Sequence, residues 1–150
     1  MQLLRKWFAL GLTEWRLLME ALLLLVTMRV VLWFWPWPSV QLLVQHHSTR
    51  QSRSTAVPSV ERMVWAITTV RRFVPRATCL TQALAMCTLL ERYGYPALLQ
   101  IGVVRHSRDR LEAHAWVESD GVVVLGGTSE FLARYTQLPL VPPTRTTARG

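Results

Sequence analysis

Two residues in this chain have the types and placement for nucleophilic chemistry: a cysteine where a helix should begin, and a histidine inside a later β-rich run. Cys79 follows Thr78, a residue suited to capping a helix N-terminus, so the thiol falls on the first helical position. A thiol attacks only as thiolate, and the unpaired N–H groups and positive dipole end of a helix start both favour that anion. The same N–H groups could hold an oxyanion as it develops. Arg76, three residues earlier, adds positive charge. His114 stands between Ala113 and Ala115, whose small side chains leave room for a substrate or a helix beside the imidazole. A cysteine helix followed by strand, turn and histidine strand can bring the base onto the thiol.

The remaining polar candidates are weaker. Cys87 lies two turns after Cys79 among Leu80, Ala83, Leu84 and Leu90, and reads as a small buried hydrophobe. Eight residues of helix separate the two sulfurs by roughly 12 Å of rise, too far for a disulfide. Free thiols suit a reducing, cytoplasmic compartment. Cysteine-based zinc spacing is absent, and no cofactor or metal is expected. His46 and His47 are adjacent, so they do not face a common ligand, and they fall in a polar loop; His106 sits in a polar turn beside Arg105 and Arg108. Gln82, one turn along from Cys79, faces either the cleft or solvent.

These residues need elements to hold them. The spacing predicts helix over Leu3–Trp35, with a bend near Gly11-Leu12-Thr13 and an end at Pro36. Val60, Met63, Val64, Ile67 and Val70 recur at helical spacing in a helix from Ser59 to Phe73, stopped by Val74-Pro75. The Cys79 helix should end at Gly94, with Pro96 preventing continuation. Strands follow over Ala97–Arg105, Leu111–Glu118 and Val122–Leu125, the last two joined at the hairpin signal Asp120-Gly121. A short helical or extended piece is expected around Phe131–Tyr135. Helix followed by meandering strands gives an α+β domain, an antiparallel sheet packed on the Cys79 helix. The organisation reads as an apolar helical region over 1–45, a polar linker over 46–58, the catalytic domain over 59–138 and a disordered tail over 139–150.

Composition narrows the partners. The formal charge of +8 is carried almost entirely by Arg and favours acidic partners. No Lys/Arg run with interleaved aromatics occurs, which argues against nucleic acid. Leu17–Trp37 is very apolar, yet Glu20 and Arg29 interrupt it, and each is costly at a bilayer centre. A buried or dimer-forming helix, attachment to a membrane surface and a spanning helix all stay open, in that order.

Taken together, the stretch Arg76-Ala77-Thr78-Cys79-Leu80-Thr81-Gln82-Ala83-Leu84, the strand around Ile101-Gly102-Val103, and Leu111-Glu112-Ala113-His114-Ala115-Trp116-Val117-Glu118 resemble the lasso-peptide biosynthesis B2 proteins. These are leader peptidases of the transglutaminase-like superfamily. Asp120-Gly121, the strand Val122–Gly127 and Tyr135-Thr136 extend the likeness over about Val60–Leu138. The resemblance implies a transglutaminase-like, papain-like core with Cys-His chemistry. It also implies a place in the maturation of a ribosomally made peptide of antibiotic type. Three partners come with it: a precursor peptide, a small leader-recognition protein and an ATP-dependent cyclase that closes a macrolactam. The superfamily also places an acid on the strand after the histidine. Asp120 is the first candidate here, with Glu112, a backbone carbonyl or another group as alternatives; Glu118 shares the His114 face of the strand but lies four residues away, about 13 Å. A two-residue turn at Asp120-Gly121 pairs Ser119 with Val122 and sets His114 opposite Gly127, where no carboxylate stands. Two other readings remain: acyl transfer in place of hydrolysis, and a non-catalytic member of a membrane-associated assembly.

Overall fold

The computed structural model describes residues 11–34, 57–105 and 110–138. The polar-linker residues 46–56, the tail 139–150, His46, His47 and His106 lie outside the described residues.

Helix α1 (Leu12–Phe34) is continuous. Its first turn is closed by the N–H groups of Glu14 and Trp15 on the Gly11 carbonyl, at 2.9 and 3.2 Å. Leu17, Leu18, Ala21 and Leu25 are buried on one side, against α2 (Val60–Val70) and α3 (Cys79–Arg92). The two acidic residues of α1 are tied to the same neighbours. Glu14 pairs with Arg62 of α2, and Glu20 accepts from Tyr93 Oη at 2.7 Å and pairs with Arg92 at 3.1 Å. Glu20 therefore interrupts the apolar run because it serves the junction with α3. The helix has the length and composition to cross a membrane, but its buried side chains belong to the same hydrophobic cluster as those of α2 and α3. On the opposite side Leu12, Trp15, Met19, Leu23, Val26, Val30, Trp33 and Phe34 are exposed.

Helix α2 begins after Ser59 as the spacing predicts, and Met63, Ala66, Ile67 and Val70 are its buried stripe. It stops as an α-helix at Val70 and tightens into a 3₁₀ turn over Arg71–Phe73 before Pro75. Tightening of this kind is common in the last turn of a helix. Helix α3 is buried almost all round, at Ala83, Leu84, Ala85, Met86, Cys87, Leu89 and Leu90, because α1 and α2 cover one side and the sheet the other. Removing one of these side chains leaves a cavity that little can fill; Leu84→Ala should cost about 2–5 kcal/mol. Its C-terminus is closed by Gly94 N–H on Glu91 O and Tyr95 N–H on Leu90 O, which satisfies two of the last carbonyls.

The sheet is antiparallel, in the order β3 (Val122–Leu125), β2 (Leu111–Ser119), β1 (Leu98–Arg105), β4 (Thr136–Gln137). Alternation along β2 sends Ala115 and Val117 into the main core with α3, and Trp116 to the opposite face with Leu132 and Tyr135. Between β3 and β4 lies a single turn of helix, α4 (Ser129–Leu132), capped by the Thr128 hydroxyl. The fourth strand, two residues long, pairs with Gly102 and Val103 of β1.

The β2–β3 hairpin turns at Asp120-Gly121, both with positive φ (50° and 77°), and Ser119 pairs with Val122. That is the expected two-residue turn. The ladder then slips: Glu118 pairs with Val123 but Val117 with Leu125, leaving Val124 as an extra residue. The regular register that sets His114 opposite Gly127 is lost at this bulge. β-Bulges re-aim the chain and terminate pairing, commonly beside functional sites.

Candidate active site

The sequence around Cys79 folds as its residue types require. Thr78 takes an extended conformation (φ −72°, ψ 165°), and its hydroxyl accepts from Thr81 N–H at 3.3 Å while bonding the Thr81 hydroxyl at 3.0 Å. Gln82 N–H reaches the Thr78 carbonyl, so the first turn is closed beneath the thiol. The amides of Cys79 and Leu80, at the first two helical positions, have no carbonyl a turn earlier to bond. Cys79 is partly exposed and Cys87 is buried. Burial, with the Glu91 carboxylate nearby, pushes the Cys87 thiol up to about 12. The two cysteines thus differ in access.

His114 sits in β2 opposite Gly102 of β1. Its Nε2 lies 2.5 Å from the carbonyl oxygen of Gly126. A carbonyl can only accept, so Nε2 carries the proton and the neutral ring keeps its lone pair on Nδ1. The ring is held from two further sides, by the edge of Phe131 (centroids 5.7 Å apart) and by Tyr135 (5.5 Å). Tyr135 is itself fixed by donating its hydroxyl to Glu112 Oε1 at 3.0 Å. Burial holds that phenol above its usual range, and the Glu112 carboxylate and the Cys79 thiol add to the effect.

Cys79 and His114 line one cleft of about 310 Å³, together with Thr68, Arg71, Gln82, Ala115, Leu125, Gly126 and Gly127. Gln82 faces this cleft. Its amide nitrogen donates to the Ala77 carbonyl at 3.1 Å, and its oxygen accepts from Arg71 Nη1 at 3.3 Å. Thr68 spends its hydroxyl on its own helix, on the carbonyls of Val64 and Trp65. Thr68 and Arg71 are not singled out by sequence. Their signal is a pair of polar residues three apart, closing an otherwise apolar helical stripe just before the cysteine helix.

The expected third member is placed elsewhere. Asp120 occupies the hairpin turn, six residues from His114 along an extended strand, about 20 Å, and it is exposed. The reason is local: Asp and Gly tolerate the left-handed turn, so the hairpin needs this residue pair at its tip. Glu118 accepts from the Trp116 indole at 2.9 Å, and Glu112 from Tyr135. The imidazole is oriented instead by a backbone carbonyl, at the point where the chain leaves β3 through Gly126 and Gly127 with φ of 110° and 135°. Arg76, also with positive φ (59°), is exposed in the turn before α3 and is not among the cleft residues. Among the described residues no His/Cys/Asp/Glu group has the arrangement of a metal site.

The site is thus a helix whose first residue is a cysteine, packed on an antiparallel sheet that carries a tethered histidine. The family model of the transglutaminase-like superfamily matches residues 22–139, and the chain belongs to that superfamily. No curated protein and no solved structure gives a significant match.

Proposed function

We propose that the protein is a cysteine peptidase that removes the leader from a lasso-peptide precursor before macrolactam closure. The observation that carries the chemistry is the tether of His114 to Gly126: it fixes the tautomer and leaves Nδ1 as the base in the cleft that Cys79 shares. In this reading Nδ1 takes the thiol proton, and Cys79 Sγ adds to the scissile carbonyl. The amides at the start of α3 receive the oxyanion. The C–N bond breaks, and the imidazolium gives its proton to the leaving amine, which is the new N-terminus of the core peptide. Water, deprotonated by the same imidazole, then releases the leader from the thioester as a carboxylic acid. An ATP-dependent cyclase uses the freed amine in the next step.

The resemblance to the B2 proteins supplies the substrate, and the size of the cleft supplies the need for help. A cleft of about 310 Å³ grips only a few residues around one bond. A leader-recognition protein that holds the rest raises the local substrate concentration, to the millimolar range over a short flexible connection. The exposed apolar side of α1 is a surface of the kind that contacts such a partner or a membrane.

The test is cleavage of precursor at low micromolar concentration, read by mass spectrometry, with and without the recognition partner. Free leader acid and core amine are the expected products, with strong stimulation by the partner. Cys79→Ala should be inactive but folded, and His114→Ala should lose about 10²–10⁴ in rate. Equal turnover by Cys79→Ala would end the peptidase reading. Amide-linked products in place of free acid would make the enzyme an acyl transferase.

A further inference from the structure

The wall of the cleft carries one feature that peptide hydrolysis by Cys79 and His114 does not use. Arg71 opens the 3₁₀ turn after α2 and lines the cleft, with its guanidinium tied to Gln82 at 3.3 Å. Gln82 is anchored in turn on the Ala77 carbonyl. This chain of bonds holds the guanidinium to the first turn of the helix that bears the nucleophile. Cys79 and Gln82 stand three apart and are neighbours on that helix, and both line the cleft with Arg71, so the exposed Arg71 guanidinium is held at the cleft wall by its bond to Gln82.

Its charge is left uncompensated by the described residues. No ion pair of Arg71 is seen among the described residues, and the pairs Arg62 with Glu14 and Arg92 with Glu20 both lie on the α1 side of the molecule. Two carboxylates of β2 accept from other donors, Glu112 from Tyr135 and Glu118 from Trp116, and neither lines the cleft. Apart from the Cys79–His114 pair, the cleft lining consists of Arg71, small or apolar residues, and two neutral polar side chains that bond their own backbone. A guanidinium has five N–H donors in a planar fork that matches a carboxylate, and one of them is used by Gln82.

We propose that Arg71 is a specificity-determining residue: it receives a side-chain carboxylate of the peptide, an Asp or Glu within a few residues of the scissile bond. The proposal rests on the peptidase reading for the identity of the bond cut. The fixed guanidinium rewards an acidic residue, tolerates an isosteric amide poorly and repels a lysine. The chain's net charge of +8 acts in the same direction, drawing acidic segments towards the protein.

The experiment uses the full chain and internally quenched peptides spanning the cleavage junction. Asp is placed in turn at each of several positions on either side of the bond, and compared with Asn and Lys at the same position. With wild-type protein, one position should favour Asp over Asn by about tenfold to a hundredfold in kcat/KM, the range for a hydrogen bond to a charged group. Arg71→Gln should erase that preference, and Arg71→Glu should invert it, making the Lys peptide the best substrate. The inversion excludes a merely structural role, because a damaged cleft is not rescued by a positive substrate. An unchanged order of Asp, Asn and Lys in both variants would overturn the proposal. Binding of the same peptides to Cys79→Ala, followed by fluorescence anisotropy, gives a second readout that does not depend on turnover. If wild type cuts nothing, the peptidase reading falls, and the Asp-against-Asn affinity ratio with and without Arg71 still decides this one.

Discussion

A Cβ atom on Gly126 would stand 2.5 Å from the Cβ of Trp116 and 2.8 Å from its Cα. Strand β2 and the chain leaving β3 approach this closely because residue 126 has no side chain and turns at φ +110°. The approach aims the Gly126 carbonyl at His114. Gly126→Ala should therefore strain the backbone and push on Trp116, which is almost wholly buried. The expected cost is about 2–5 kcal/mol, seen as a lowered thermal midpoint, with activity lost beyond what stability explains. Asp120→Asn, at the hairpin tip, should leave kcat/KM within about twofold of wild type. A large loss in Asp120→Asn with its fold intact would return the acid to the mechanism.

Cys79 should be the reactive thiol. With Cys87 held near 12, about one in 10⁵ of its molecules is thiolate at pH 7, and its sulfur is buried as well. Brief iodoacetamide treatment at neutral pH, mapped by peptide mass, should label Cys79 in folded protein and Cys87 only after denaturation. Faster labelling of Cys87 would reverse the assignment.

The same burial predicts alkaline sensitivity. The folded state holds Cys87 up to about 12 from an ordinary 9, and Tyr93 up to about 12 from 10 through burial and its bond to Glu20. Above pH 9 the unfolded chain releases protons that the folded chain keeps, so stability falls as pH rises, until about pH 12. Thermal midpoints measured from pH 8 to 11 should drop, and Cys87→Ala should flatten the slope. An equal slope in both proteins would rule out this thiol as the source.

Helix α1 should behave as part of the same folded unit as α2 and α3. Glu20→Ala removes the acceptor of Tyr93 and the partner of Arg92. It should cost about 1–3 kcal/mol, which is roughly 2–10 °C for a chain of this size. Deleting residues 1–40 should go further and unfold the protein, since Leu17, Leu18, Ala21 and Leu25 are buried in the core shared with α2 and α3. A cooperative, unshifted unfolding transition in the truncated protein would show instead that α1 is separable.

The parts of this fold that follow from side-chain type were legible in the sequence. The cap at Thr78, the left-handed turn at Asp120-Gly121 and the alternation of β2 each rest on a residue whose chemistry dictates local geometry. So did the placement of Cys79 on a helix start. The packing of α1 was not legible, because its apolar residues run all round the helix and no stripe marks the inner side. Nor was the bulge at Val117/Glu118: Val122, Val123 and Val124 are alike, and nothing in their identities says which of them is left out of the ladder. That single slip shifted what faces His114. Strand β4 was missed because two residues cannot display a period.

In the proposed mechanism a carbonyl takes the role of the third catalytic group, which has a practical result for anyone mapping this site. Alanine scanning replaces side chains and leaves every main-chain oxygen in place, so such a scan would count two essential residues and conclude that the imidazole stands alone. Gly126 would register as a folding mutation. The oxygen itself can be weakened only by editing the main chain, for example by replacing the Gly126–Gly127 amide with an ester, whose carbonyl is a poorer acceptor. In sequence comparisons the group would be equally hard to see, because residue 126 contributes a main-chain oxygen and no side chain.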